Sequence, residues 1–160
     1  MTQNVRVMAT ASAGGHWVQL MRLRPAWSGC DVTYVTTDPG LETPLRTESR
    51  KTDDHIAGFY TVTEANRWNK LRLVRQLFQL LRIIYRTRPD VVITTGAAPG
   101  YFALRLGRLF GARTVWIDSI ANAEELSLSG KQARAHADLW LTQWGHLSDP
   151  NGPKHLGSVI

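Results

Sequence analysis

Short β-type runs alternate with longer helical segments along the whole chain, and this alternation restricts the fold more than any other feature of the sequence. Runs rich in β-branched and apolar residues predict strands at residues 5–10, 31–37, 59–63, 90–95, 114–117, 139–142 and 155–160. The patterns between them predict helices at residues 16–27, 43–51, 69–88, 100–110 and 129–137. This order predicts an α/β fold, a Rossmann-like doubly wound parallel sheet.

Signals at the ends of these segments agree with that organisation. Pro89 ends the helix that begins near residue 69, because proline cannot continue a helical hydrogen-bond ladder. Gly111 fits the left-handed position that follows many helices, and Ser129 with Gln132 has the spacing of a capping box. The 160 residues contain no repeat or linker, so we predict one domain over residues 1–160.

Two glycine-containing loops are predicted at the carboxyl ends of strands, where open α/β sheets bind their ligands. The first loop contains Ser12, Gly14 and Gly15, and the second contains Thr95, Gly96 and Gly100. Glycine lets the backbone approach a ligand, and free N–H groups at a helix start favour an anion. We therefore predict that both loops bind phosphate, although tight turns also need glycine for steric reasons alone.

His16 follows the first glycine pair directly, at the predicted start of a helix. The positive end of the helix dipole opposes protonation there, so a neutral imidazole could act as general base toward a sugar hydroxyl. An ordinary capping or surface histidine is the alternative. The other four histidines show no spacing typical of metal ligands, and we expect neither a metal nor another cofactor.

One long helix dominates the charge distribution of a chain with a formal net charge of +6. Residues 65–89 contain no Asp or Glu, and they include seven basic residues, of which Arg67 is the first. An apolar stripe at helical spacing consists of Trp68, Leu71, Val74, Leu77, Phe78, Leu81, Ile84 and Tyr85, and Leu73, Leu80 and Ile83 widen it. Arg72, Arg75, Arg82 and Arg86 recur on another face.

A cationic helix with a broad apolar arc is typical of helices that lie on an anionic membrane surface. The alternative is a core helix whose basic side faces water. Nucleic acid is not expected as a partner, because the sequence contains no recognised reader motif.

Cysteine usage and hydropathy suggest where the protein acts. Cys30 is the only cysteine, so no intrachain disulfide can form and a reducing compartment is expected. No secretory signal is visible, and no uninterrupted apolar run approaches ~18 residues. With the basic helix, these features predict a cytoplasmic protein held peripherally on the inner face of the cell membrane.

Six short segments follow one another in the order seen in a known family. They are residues 12–16 (SAGGH), 95–100 (TGAAPG), 116–121 (WIDSIA), 126–131 (LSLSGK), 137–139 (ADL) and 143–144 (QW). They resemble the acceptor-binding subunits of oligosaccharide biosynthesis. These include the membrane-recruiting subunit of the N-acetylglucosaminyltransferase of N-glycosylation and the bacterial PssD-type exopolysaccharide proteins. The resemblance covers nearly the whole chain, and its specific part is the run from residue 95 to residue 144.

The resemblance implies one half of a GT-B glycosyltransferase, similar to the N-terminal domain of the peptidoglycan enzyme that adds N-acetylglucosamine to a lipid precursor. It implies a separate donor-binding subunit with the nucleotide-sugar pocket, a polyprenyl-diphosphate-linked sugar as acceptor, and a metal-independent, inverting reaction. By position, the two glycine loops would face the acceptor diphosphate and His16 the reacting centre. Asp118, Ser119 and Asn122 would lie at the cleft between the subunits.

The chain departs from the family pattern in two places. Gln19 stands where relatives often carry an acid, which weakens the case for a carboxylate-assisted mechanism. The membrane-spanning anchor of the eukaryotic subunits is not visible, which points to a bacterial member that acts in exopolysaccharide or capsule biosynthesis.

We therefore expect a glycosyltransferase subunit that is inactive alone, because one such domain cannot close around both substrates. Two other functions remain open. One is a nucleotide- or dinucleotide-binding Rossmann enzyme, for which the G-x-G-x-x-G fingerprint is incomplete although Asp38 could bind a ribose. The other is a non-catalytic membrane adaptor.

Overall fold

The computed structural model describes residues 4–52, 54–66 and 68–159, and its centre is a six-stranded sheet. The strands are β1 (Arg6–Thr10), β2 (Asp31–Thr36), β3 (Ile56–Thr61), β4 (Val91–Thr94), β5 (Arg113–Ile117) and β6 (Leu139–Leu141). All neighbouring strands run parallel, in the order β3-β2-β1-β4-β5-β6. This order reverses between β1 and β4, as in the doubly wound Rossmann sheet, so the predicted fold class is confirmed.

Helices cover both faces of this sheet. Within the described residues they are α1 (Gly15–Arg22), α2 (Glu42–Thr52), α3 (Lys70–Thr87), α4 (Ala97–Leu109) and α5 (Leu128–Ala133). On one face Trp17 of α1 and Leu45 of α2 are buried, and on the other face Leu80 of α3 and Ala103 of α4 are buried. Strands β1 and β2 are buried at every position after the first, because both faces are covered.

The first helix is shorter than the sequence pattern predicts. We expected a helix over residues 16–27, but α1 ends at Arg22 and a separate 3₁₀ turn spans Arg24–Trp27. Pro25 explains the difference, since its ring has no N–H to donate and would clash with the preceding helical turn.

The predicted capping box at Ser129 and Gln132 is wrong. Ser127 caps α5 instead, because its Oγ accepts a hydrogen bond of 2.8 Å from the Gly130 N–H. The helix therefore begins one residue earlier than predicted, at Leu128, and it ends at Ala133 rather than at residue 137.

The predicted strand at residues 155–160 is also wrong over the part that the structure describes. Residues 155–159 form no strand, and Lys154 makes a single bridge with Leu141. The segment is held by side chains instead, because Ser158 Oγ and Val159 N–H both donate to Gln143. Ile160 lies outside the described residues.

Other element ends follow the sequence closely. Helix α3 ends at Thr87, just before Pro89, and Gly111 has the positive φ of 86° expected after α4. Strand β3 lies three residues earlier than the predicted start at residue 59. No helix in the described ranges combines the length and the hydropathy that a bilayer crossing requires.

Candidate functional site

The two glycine loops lie side by side at the point where the strand order reverses. Strands β1 and β4 are direct neighbours, and their last residues, Thr10 and Thr94, are register partners. The chain therefore leaves both strands at the same edge of the sheet, through one loop to α1 and through the other to α4. This edge is the usual ligand-binding position of such a fold.

Two hydrogen bonds between His16 and Thr95 join the loops. The His16 ring contacts the Thr95 carbonyl oxygen through Nδ1 at 2.8 Å, and Thr95 Oγ1 donates to the His16 carbonyl oxygen at 2.7 Å. A carbonyl oxygen can only accept, so Nδ1 carries the proton. In the neutral ring, Nε2 then has the lone pair that a general base needs.

Gly96 makes room for this histidine ring. Its φ is 127°, a value that side chains rarely adopt, and an added Cβ would lie 2.9 Å from His16 Cε1 and 3.0 Å from Nδ1. The loop therefore needs glycine at this position for two separate physical reasons.

Gly100 has a different task, which is to let α4 pack closely on β4. It is buried, and an added Cβ would lie 2.0 Å from Thr94 Oγ1. The position corresponds physically to the third glycine of a dinucleotide fingerprint, which allows close packing of helix and strand. Its predicted contact with phosphate stays a prediction.

Helices α1 and α4 begin without a side-chain cap. Gly14 and Gly96 occupy the two N-cap positions with positive φ, and neither position provides a side-chain cap. The Gly96 N–H itself donates to Thr94 Oγ1 at 3.1 Å. By contrast, Asn69 caps α3 and Ser127 caps α5. The uncapped N–H groups and the two helix dipoles converge on one edge, which is an arrangement that attracts anions.

Local backbone strain occurs in the same place. Ala97, the first residue of α4, has a φ of 62°, in the left-handed region that costs a non-glycine residue about 1 kcal/mol or more. Strain of this kind collects at ligand-binding sites. Ser12, Gly14 and Gly15 of the other loop are at least partly exposed, so their backbone is open to a ligand.

The loop after β5 forms the third part of this edge and is organised by Asp118. The buried carboxylate accepts hydrogen bonds from Ser127 Oγ (2.6 Å), Ser127 N (2.9 Å), Asn122 Nδ2 (3.2 Å) and Trp116 Nε1 (3.2 Å). Asp118 thus orders the loop from within and brings Asn122 beside it. A position of Asp118, Ser119 and Asn122 at a subunit cleft stays a prediction.

Two buried amides connect this loop to the helix that carries His16. Gln19 donates to Ser119 Oγ (3.1 Å), and its Oε1 accepts from the Ile120 N–H (3.2 Å) and from Gln143 Nε2 (2.7 Å). A carboxylate at position 19 could not donate to Ser119. The sequence pattern did not predict this network; its signals in the sequence were Gln19, at a position where relatives often carry an acid, and the segment QW at residues 143–144.

Helix α3 exposes both basic and apolar side chains. Leu71, Phe78 and Tyr85 are 84%, 64% and 62% exposed, whereas Leu80, Ile83 and Ile84 are buried against the sheet. The broad apolar arc predicted for this helix therefore consists of two separate faces. One packs in the core, and the other is exposed to solvent. Arg72, Arg75, Arg82 and Arg86 are all exposed beside the second face.

None of the ion pairs among the described residues involves a basic residue of α3. Arg67, which the sequence adds to the basic set, lies outside the described residues.

The geometry gives little support to a dinucleotide. Asp38, the candidate ribose ligand, accepts a hydrogen bond of 2.8 Å from the Gly40 N–H and caps a short 3₁₀ turn. In the part of the chain that the structure describes, no three His, Cys, Asp or Glu side chains are grouped as metal ligands.

Sequence comparisons identify relatives over nearly the whole chain. A family model described as "Oligosaccharide biosynthesis protein Alg14 like" matches residues 8–159. The UDP-N-acetylglucosamine transferase subunit ALG14 of Homo sapiens is 27% identical over 186 residues, which cover 99% of this chain and 84% of that protein. The subunit of the same name from Cryptococcus neoformans is 39% identical over 91 residues, 52% of this chain and 39% of its own length.

Solved structures show the same fold at low sequence identity. MurG of Acinetobacter baumannii superposes with a TM-score of 0.67 at 17% identity, over 98% of this chain and 45% of that chain. A putative UDP-N-acetylglucosamine 2-epimerase of Listeria monocytogenes gives 0.62 at 11% identity, over 89% of this chain and 40% of that chain. The chain thus spans less than half the length of these structural neighbours.

Proposed function

Because the chain belongs to the Alg14-like family of oligosaccharide biosynthesis proteins, we propose that it is the acceptor-binding, membrane-associating subunit of a two-component UDP-sugar glycosyltransferase. The names of its relatives support UDP-N-acetylglucosamine as the donor. The proposed acceptor is a polyprenyl-diphosphate-linked saccharide, and the proposed setting, taken from the sequence motifs, is bacterial exopolysaccharide or capsule biosynthesis.

The convergence of two uncapped helix starts on one edge of the sheet carries this proposal. The start of α1 is exposed there, and the start of α4 is partly exposed at Ala97 and Ala98. A diphosphate has two charged groups, and the backbone N–H groups at the starts of α1 and α4 offer two adjacent anion sites. The hydrogen bonds between His16 and Thr95 fix the distance between these starts. Gly14 and Gly15 leave the backbone of the first loop open to the ligand.

In this proposal His16 is the general base. Its Nε2 accepts the proton of the acceptor hydroxyl, whose oxygen forms a bond to the anomeric carbon of the donor sugar. The bond from that carbon to the nucleoside diphosphate breaks, and the diphosphate leaves with the electron pair. Thr95 contributes by keeping Nδ1 protonated and the ring oriented.

The proposal requires a second subunit. Gly14 and Gly15 are exposed at the described edge, and the reaction needs a wall there that encloses the nucleotide sugar and excludes water. In the proposal the donor-binding subunit supplies this wall, and Asp118, Ser119 and Asn122 lie at the contact. The buried Asp118 shapes the loop that would meet the partner.

The exposed face of α3 supports a peripheral position on the cytoplasmic side of the membrane. Leu71 and Phe78 can enter the interfacial region, and the unpaired Arg75 and Arg82 lie where anionic headgroups would be. Each basic residue near such a surface contributes on the order of 1 kcal/mol. This position would bring the acceptor site close to a lipid-anchored substrate.

Reconstitution tests the proposal. We expect no transfer from labelled UDP-N-acetylglucosamine to a short-chain polyprenyl-diphosphate-linked acceptor by the purified chain alone, and transfer once a donor-binding subunit is added. The physical reason is that one domain cannot align and enclose both substrates. Turnover by the isolated chain, or none with any donor-binding partner encoded nearby, would contradict it.

A further inference from the structure

A groove of about 760 Å³ lies at the edge of the sheet opposite the two glycine loops. It is lined where β1, β4 and β5 begin and where α3 and α4 end. None of the residues proposed above for acceptor or partner binding lines it.

The charge of this groove is positive. Arg6 and Asp90 face each other there, joined by bonds of 2.8 Å and 3.1 Å between the side chains, and so neutralise one another. Arg88 and Arg113 also line the groove and are exposed. Neither is in an ion pair with any carboxylate of the described residues.

The walls of the groove are apolar and partly exposed. Val5, Tyr85 and Phe110 line it, and each leaves about half or more of its surface in solvent. The Arg88 guanidinium lies 5.8 Å from the centre of the Tyr85 ring, which keeps the cation at the rim beside an aromatic wall. The groove therefore combines two cations with a surface that is unfavourable to leave in water.

We propose that this groove binds one anionic phospholipid of the bilayer, with the phosphate between Arg88 and Arg113 and the start of an acyl chain along Tyr85 and Phe110. Charge complementarity supports an anionic ligand, and the apolar walls favour a lipid over a free phosphate. Tyr85 also belongs to the exposed stripe of α3, so the groove continues the face proposed to meet the membrane.

The inference rests on the proposed membrane position of α3, and it adds an orientation. With contacts along the stripe and in the groove at its carboxyl end, α3 would lie flat on the bilayer, held at both ends. Rotation of the chain on the membrane would then be restricted, which would hold the acceptor edge at a constant height above the lipid surface.

Titration of the isotope-labelled full chain with a monomeric short-chain lipid tests the groove separately from membrane association. We expect dihexanoyl phosphatidylglycerol, below its micelle concentration, to shift the backbone amides of Arg88 and Phe110 saturably. Its Kd should be about tenfold or more below that of dihexanoyl phosphatidylcholine, which has the same chains. Inorganic phosphate should bind much more weakly, because it cannot use the apolar walls.

The variant R88Q/R113Q should weaken phosphatidylglycerol binding about tenfold or more, since it removes both unpaired cations. Its matched control is R50Q/K51Q, which loses the same charge from exposed positions of α2 on the opposite face of the sheet. Circular dichroism checks that both variants fold. If R88Q/R113Q does not fold, the single variant R113Q replaces it, because Arg113 is the exposed first residue of β5.

Several results would overturn the proposal. Equal affinity for the two lipids, phosphate binding as tight as lipid binding, or unchanged affinity in the arginine variant would each do so. Protection of the same amides by a protein partner, without a lipid response, would assign the groove to that protein. If the native chain binds the short-chain lipid but does not bind anionic vesicles, the result would instead count against the membrane role of α3 and leave the groove assignment in place.

Discussion

At the scale of single residues, the contact between His16 and Thr95 is the most informative feature of the molecule. The two residues are 79 positions apart, yet each contacts the backbone carbonyl of the other. This contact fixes the tautomer of the histidine and the spacing of two helix starts at once. The sequence indicated His16 as a candidate, but the partner of its ring could only be seen in the folded chain.

Replacement of the histidine separates a catalytic subunit from an adaptor. In the reconstituted complex, His16→Ala should lower kcat by about 10²–10⁴-fold, the usual contribution of a general base, with a small effect on KM. The control is His55→Ala, which removes an exposed histidine at the opposite edge of the sheet. Full activity of the His16 variant would support the adaptor.

Gly96 allows steric and conformational effects to be measured separately. Gly157 has a similar positive φ of 123° but no atom within 4 Å of an added Cβ. Gly157→Ala should therefore cost only the strain, about 1–3 kcal/mol of unfolding free energy. Gly96→Ala should cost more, because the new methyl group would meet the His16 ring.

Urea denaturation measures both glycine variants, and the reconstituted assay measures transfer. We expect transfer to fall only for Gly96→Ala. Equal stability losses and equal activities in the two variants would show that the close approach of Gly96 to His16 has no consequence.

At the scale of elements, α3 has two apolar faces with different tasks. Leu80 and Ile84 belong to the core, and Leu71 and Phe78 are exposed. Gln76 and Gln79 anchor the helix, since Gln76 Nε2 donates to the Thr63 carbonyl and the Thr63 N–H donates to Gln79, both at 2.8 Å. This arrangement leaves the exposed apolar face and the arginines together on the outside.

Substitutions on the two faces should act on different properties. Leu71→Ser with Phe78→Ser should reduce cosedimentation with anionic vesicles by about tenfold or more and change the unfolding free energy little, because no core contact is lost. Leu80→Ala should instead cost about 2–5 kcal/mol of stability through a buried cavity. If the double variant lost stability and kept vesicle binding, α3 would have no membrane role.

At the scale of the whole molecule, one ion pair joins distant parts of the sheet. Asp90 accepts hydrogen bonds from the Arg6 side chain and from its backbone N–H at 2.9 Å, which ties the start of β1 to the loop before β4. The hydrogen bonds from Arg6 hold the pKa of Asp90 below its usual value of 3.8. Both side chains are about half exposed, so solvent weakens the pair.

The lowered pKa of Asp90 predicts how the stability of the fold changes toward acid pH. Since the folded-state pKa is below the unfolded one, the contribution of the pair is complete above about pH 4 and is lost as the pH falls through the folded-state value. Asp90→Asn should therefore reduce stability near neutral pH and make its loss toward pH 3 less steep. Urea denaturation at several pH values measures this, with Glu64→Gln as an exposed control; identical slopes for Asp90→Asn and the native chain would contradict it.

The sequence by itself determined the alternation of strands and helices, the acid-free helix α3 and the two glycine loops, because periodicity, charge and turn chemistry are local properties. The fold class followed from them, whereas the family resemblance rested on six short segments that follow one another in the family's order. Local signals failed where a distant residue decided, as at Ser127, whose cap depends on Asp118, and at residues 155–159, which are held by Gln143. Only the tertiary structure decided which apolar face of α3 is buried, that the ring of His16 contacts Thr95, and that Arg88 and Arg113 line one groove. Each of these depends on contacts between residues that are distant in the sequence and adjacent in the fold, and residue spacing along the chain does not reveal such contacts.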